Sequence, residues 1–271
     1  MRLTIVSVIV ALAAQTPLRA DAWARGRGAT YVHLGLSSLS STRAFDETGE
    51  RVPFPGRGAS RTRAAVYAEL GLNDTFTLVA SLPYEKVTSR GLFNDFTTAG
   101  GSDFDLRLRV SRKTNRGAIA FEGGAFIPLG YDRLTFPQLG TGVVEPVINA
   151  AYAMNVAALP DGFLSLQAGY RMRGGGLSDE LPYTAKLGAF FHPRIGTFIS
   201  LRGWESRGDF RNVEPTFALT VTDSEQLAAA AEIYLRILTR LDINASWSRA
   251  IRGRNSAIGN EWSVGLAMHV P

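Results

Sequence analysis

The segment Asp103-Phe104-Asp105-Leu106-Arg107-Leu108-Arg109-Val110 alternates charged and apolar residues one by one. Successive side chains of an extended strand point to opposite faces, so this segment has one face of Phe, Leu, Leu and Val and another of Asp, Asp, Arg and Arg. The same alternation recurs over 29–40, 61–72, 76–88, 117–129, 143–155, 162–173, 183–191, 196–207, 225–237, 241–251 and 260–270. A soluble sandwich uses such a strand once or twice. Twelve of them, 103–113 included, without a helical period of useful length, predict an all-β chain. The expected architecture is a transmembrane antiparallel β-barrel of about 12 strands. In hydrocarbon each unpaired backbone group costs several kcal/mol, so a sheet placed there must close on itself.

The connections support this reading. Long ones (41–60, 89–102, 130–142, 174–182, 208–224, 252–259) alternate with short ones such as Asn73-Asp74-Thr75, Thr114-Asn115-Arg116 and Leu238-Thr239-Arg240. Outer-membrane barrels have short periplasmic turns and long extracellular loops, with both termini periplasmic when the strand number is even. The stretch 209–223 reads as loop or strand extension. Arg2 followed by a mostly apolar run from Leu3 to Ala14, and then Ala20-Asp21-Ala22, has the order of a secretory signal peptide, which gives 1–22 as leader and 23–271 as barrel. The expected location is therefore the bacterial outer membrane.

Composition excludes several classes. With no cysteine, neither a disulfide framework nor a thiolate metal site is available. The mean hydropathy of +0.02 is what cancelling lipid-facing and lumen-facing rows produce. The formal charge of +5 comes from arginines spread singly over alternating strands rather than gathered in one patch, which argues against a nucleic-acid partner. His33, His192 and His269 lack metal-ligand spacing, and parity turns His33 and His269 inward, away from a lipid-side Ser-His pair. No catalytic residue, metal or cofactor is assigned, and the chain is not read as an enzyme. Gly174-Gly175-Gly176 lacks the setting of a phosphate loop.

Parity also assigns the faces. Lipid-side rows include Phe76, Leu78, Ala80, Leu82 and Tyr84, and Trp262, Val264, Leu266, Met268 and Val270. Tyr84, Phe104, Tyr183, Trp247 and Trp262 are expected at the outer rim, with Phe76, Phe191 and Phe198 at the inner one. Pro83 and Pro146 each remove a ladder donor and are expected at strand ends or bulges. Inward rows carry Arg61, Arg63, Glu69, Glu85, Asp103, Asp105, Arg107, Arg109, Glu122, Glu145, Arg171, Arg173, Lys186, Arg202, Glu232, Arg236, Asp242 and Glu261, nine of each sign. Opposite charges at such positions either pair across strands and fill the interior or line an open path. The candidate lumen residues are Asp103, Asp105, Arg107, Arg109, Arg171 and Arg173, setting selectivity or stiffening the wall. Arg171 and Arg173, with Arg61 and Arg63, form a candidate basic entry for carboxylates or phenolates, or a charged rim facing lipopolysaccharide phosphates. The long loops hold Phe45, Phe54, Phe93, Phe96, Phe136 and Phe210, as a binding mouth for a hydrophobic solute or as inward packing.

The stretches Gly71-Leu72-Asn73-Asp74-Thr75-Phe76, Leu82-Pro83-Tyr84 and Gly101-Ser102-Asp103-Phe104-Asp105, with Ala168-Gly169-Tyr170-Arg171 and Ser178-Asp179-Glu180-Leu181-Pro182-Tyr183, carry a resemblance. Over 61–113 and 162–191 the chain resembles the outer-membrane barrels associated with the meta-cleavage pathway of phenol degradation. Those share a tight turn, a strand ending in Pro-Tyr and a glycine-aspartate entry into an alternating strand. The resemblance implies a barrel that passes small organic or aromatic compounds. Two departures are Ser102 in place of the usual glycine and an ending in Met268-His269-Val270-Pro271 without a terminal aromatic.

The function expected from these observations is an outer-membrane channel or facilitator for small hydrophobic or aromatic solutes. A plugged structural barrel with surface-binding loops and a narrow porin for acidic oligosaccharides are the alternatives. Expected partners are outer-membrane lipid, lipopolysaccharide and a small-molecule solute; oligomeric state is not legible.

Overall fold

The computed structural model describes residues 22–54, 56–132, 134–174, 176–208 and 223–270. The leader assigned to 1–22 therefore lies outside the described residues up to position 21, as do the undecided stretch 209–222 and Phe210. Fourteen strands are described: β1 (Thr30–Phe45), β2 (Arg51–Pro53), β3 (Gly58–Gly71), β4 (Phe76–Arg90), β5 (Asp95–Gly101), β6 (Asp103–Thr114), β7 (Gly117–Pro128), β8 (Glu145–Val156), β9 (Gly162–Arg171), β10 (Glu180–His192), β11 (Ile195–Ser206), β12 (Glu225–Leu238), β13 (Leu241–Arg254) and β14 (Ser256–Val270). Twelve of these pair with their sequence neighbours in antiparallel fashion, and β14 pairs with β1 from Thr30↔Val270 to Phe45↔Ser256, which closes the barrel. Closure leaves no open edge within the wall. The two extra strands are extensions at the long-loop end: β2 pairs with the end of β1, and β5 continues the ladder of β4 above β6.

Proline placement follows from the missing donor. At Pro83 the strand β4 changes partner, from β6 (ending at Ser81↔Asp105) to β5 (starting at Tyr84↔Gly101). Pro146 is the second residue of β8. Strand β10 begins earlier than the alternation suggested, and Pro182 within it interrupts the β9–β10 ladder between Glu180↔Arg171 and Tyr183↔Ala168. The expected long connection 252–259 is not a loop. Strands β13 and β14 run through it and join at Asn255 alone, whose φ of 49° makes the tight reversal. The tip of this hairpin, Arg252-Gly253-Arg254-Asn255-Ser256, reads as loop because it holds no apolar residue; the hairpin is anchored by Ala250 and Ile258, buried against Phe45.

The outward rows are apolar as parity required; Trp262, for example, is 64% exposed and stands 6.5 Å from Trp247 across the ladder. Phe198 is an exception. It points inward and packs edge-to-face on Phe190 and Tyr234 and against Phe163, with centroids 5.5–5.6 Å apart. Its ring belongs to the apolar fill of the lumen rather than to an aromatic girdle.

That fill occupies the short-turn half of the barrel. Inward-facing Ala118 and Ala120 on β7, Ala151 and Ala153 on β8, and Ala267 on β14 leave room beside Phe163, Phe198 and Tyr234. Ala22 and Trp23 are buried in that same cluster. The chain thus folds back into its own lumen before β1 begins. Gly28 permits this: its φ is +78°, and its amide donates to the Gly71 carbonyl.

Candidate functional site: the lumen and its charged walls

Above the filled half, toward the long loops, lies a cavity of about 600 Å³. Its lining includes Arg61 and Arg63 from β3, Arg107 from β6, Phe126 from β7, Arg171 from β9, Arg202 and Trp204 from β11 and Glu261 from β14. Strand alternation puts one such side chain inward at every second position, so a ring of strands presents a ring of charges.

The charges are paired in separate networks. On the β3–β6–β7 wall, Arg107 donates to Asp105 through Nε and Nη2, both at 2.7 Å, and lies 3.3 Å from Glu122 through Nη1. Arg109 bridges Glu122 at 2.6 Å and Glu69 at 2.9 Å. Arg25, from the N-terminal segment, reaches the same Glu69 at 2.5 Å, and its guanidinium lies 4.8 Å above the Tyr31 ring. On the β8–β10 wall, Arg171 pairs with Glu145, lies 3.6 Å from Glu180 and stacks 4.1 Å over Phe126. Arg173 donates to Glu180 at 2.7 Å. A third network crosses the lumen: Glu261 receives Arg202 of β11 at 2.7 Å and Arg61 of β3 at 3.4 Å. Near the short turns, the wholly buried Asp242 accepts from Arg236 at 3.1 Å and faces His269 at 2.9 Å.

The six residues singled out by sequence all lie on or beside the inner wall, but in different states. Asp103 accepts the Tyr131 hydroxyl at 2.5 Å from the β7–β8 loop, which is also tied down by the Ser102 hydroxyl donating to the Leu139 carbonyl. Burial and the Asp103 carboxylate push the Tyr131 hydroxyl well above its ordinary pKa. Asp105, Arg107, Arg109, Arg171 and Arg173 sit in the pairs just described. Side-chain exposure grades the arginines: 3% for Arg109, 5% for Arg173, 17% for Arg107 and 23% for Arg171, against 27% for Arg61, 38% for Arg63 and 52% for Arg202. Guanidinium donors open to an entering solute therefore belong mainly to Arg61, Arg63 and Arg202.

The loop aromatics divide. Phe45 and Phe54 are buried, whereas Phe93 is exposed, and Phe96 meets Phe136 edge-on at 5.7 Å. His33 faces Asn244 at 3.0 Å inside the wall. Trp23 and Arg25 are the lumen residues that sequence reasoning missed. They precede the first alternating segment, so periodicity carries no signal for them; the nearest hint is an indole followed closely by two glycines.

The fold has known counterparts. The chain is similar to the outer membrane channel COG4313 from Pseudomonas putida F1, with a TM-score of 0.71 and 14% identity over 92% of this chain and 98% of that one. It is also similar to the NanC porin (TM-score 0.54, 8% identity, 87% of this chain and 100% of that one). The translocator domain of the autotransporter NalP from Neisseria meningitidis matches with a TM-score of 0.53 and 15% identity, over 90% of this chain and 89% of that one. At these identities the likeness is one of fold: an outer-membrane type of β-barrel. No protein-family model and no curated protein matches the sequence.

Proposed function

We propose that the chain is an outer-membrane channel for small organic solutes that carry an anionic group, closed at rest by its own N-terminal segment. The observation that carries this reading is the cavity under the long loops, faced by the accessible guanidiniums of Arg61, Arg63 and Arg202. The carboxylates in direct contact with these three are Glu261 and Glu85, so positive charge is in excess at that wall. Guanidinium rings favour anions in pores. Phe126, Trp204 and Leu39 add apolar surface for an aromatic or aliphatic body, and the volume suits one small molecule. Outer-membrane placement is supported by the apolar outer face and the barrel fold, and a small aromatic acid would agree with the sequence resemblance.

A second reading, a permanently closed barrel with a structural role, is favoured by the filled short-turn half. Planar-bilayer recording separates the two. Expected are discrete conducting steps with an anion-selective reversal potential in a salt gradient, shifted toward cations in Arg202→Glu. Silence from verified folded protein, wild type and Trp23→Ala alike, would leave the structural reading.

A further inference from the structure

Glu69 holds the N-terminal segment in the lumen, yet it is shared between two cations. Arg25 of the segment reaches Oε2 at 2.5 Å, and Arg109 of the wall reaches Oε1 at 2.9 Å. Tyr67 also donates to Oε1 at 2.6 Å. We propose that Arg109 is the residue that permits the segment to leave: it remains behind as the counter-ion of Glu69. This inference rests on the segment being the closure of a channel.

The physical argument is one of sign. Removing one partner of a buried ion pair is strongly unfavourable chiefly because a bare charge stays behind. Glu69 is nearly inaccessible, so if Arg25 were its sole cation, withdrawal would strand a carboxylate inside the wall. With Arg109 in place, withdrawal leaves Glu69 paired and hydrogen-bonded, and Arg25 moves toward water. Arg109 in turn is shared with Glu122 at 2.6 Å, which also takes Asn149 at 3.2 Å and Arg107 at 3.3 Å. The less Glu122 claims of Arg109, the less Glu69 needs Arg25. Acid removal and base removal on this wall therefore have opposite consequences, which a merely structural network does not produce.

The test uses a readout independent of conduction. The chain has no cysteine, so Ala24→Cys, next to Trp23, gives one label site. Its rate of reaction with a membrane-impermeant maleimide in the folded barrel reports how often the segment is out. Expected are acceleration by about tenfold or more in Glu69→Gln, which releases Arg25, and slowing by about tenfold or more in Arg109→Gln. Glu122→Gln should also accelerate labelling, and it stands in should Arg109→Gln not fold, as judged by heat-modifiable gel migration. Acceleration in Arg109→Gln, slowing in Glu122→Gln, or equal rates throughout would overturn the proposal. The same variants in bilayers keep the two readings apart. The expected labelling pattern without conductance in any variant would sink the channel and keep the role of Arg109.

Discussion

Trp23→Ala isolates what closes the lumen. The indole is 8% exposed and lies in the apolar cluster with Phe163, Phe198 and Tyr234. An aromatic of this size removes about 150–250 Å² from water. At about 25 cal/mol per Å² that is worth about 4–6 kcal/mol as an upper estimate. Measured truncations of buried Phe or Trp cost about 3–5 kcal/mol. Trp23 lies before the barrel ladder, which starts at Thr30. The loss therefore falls on the docking of the segment rather than on the barrel. At about 1.4 kcal/mol per factor of ten, the docked-to-released ratio should fall by about a hundredfold or more. The assay is liposome swelling with a small aromatic monocarboxylate, backed by single-channel open probability. Leu34→Ala, on the exposed outer face, serves as a control that should leave both unchanged. Wild-type swelling and open probability in folded Trp23→Ala would refute the assignment of the segment as the closure.

Other consequences follow from the same geometry. Arg107→Glu would set a third carboxylate between Asp105 and Glu122, where Arg107 now pairs at 2.7 and 3.3 Å. The expected loss is about 3–5 kcal/mol in urea unfolding from detergent, and wild-type stability would contradict the pairing. Gly265→Ala would drive a Cβ into the His33 ring and the Asn244 amide, costing about 1–3 kcal/mol. Gly123→Ala, with open space where its Cβ would stand, should be near neutral in the same measurement. In the β1–β2 turn, the Thr48 hydroxyl first, then the backbone amides of Glu50 and Thr48, hold the Asp46 carboxyl below its usual pKa. A depressed carboxyl stabilises the turn above its unfolded pKa and loses that contribution as pH falls through the folded value. Protection of the Thr48 and Glu50 amides, corrected for the pH dependence of intrinsic exchange, should fall only on acidification below the ordinary carboxylate range; a fall in protection near neutrality would be inconsistent.

Much of this architecture was legible before any coordinates. Period-two alternation specifies which side chains share a face whatever the neighbours are, so the strand number, the apolar outer rows and the inward charges from Arg61 to Glu261 could all be assigned by parity. Equal counts of acid and base along those rows left pairing and an open path as alternatives. Parity fails where register shifts or where alternation stops. Phe198 is neither case: it shares the parity of the inward Arg202 on an unbroken stretch of β11, so alternation itself turns it into the lumen and its expected place in the aromatic girdle does not follow from the pattern. Alternation stops at the hairpin around Asn255, because Arg252 to Ser256 include no apolar residue and so carry no hydrophobic period to detect.

Alternation alone therefore specifies a closed barrel with its charges inside. Which charge meets which is set by the assembled wall. Glu261 gathers Arg61 and Arg202 from strands far apart in sequence, and Glu69 is divided between Arg109 and Arg25. These partnerships depend on how the wall curves and on side chains meeting across a lumen, distances that no local period encodes. The placement of Trp23 belongs to the same class: a residue before the first strand has no register of its own, and only the space left by five small alanines gives it somewhere to go.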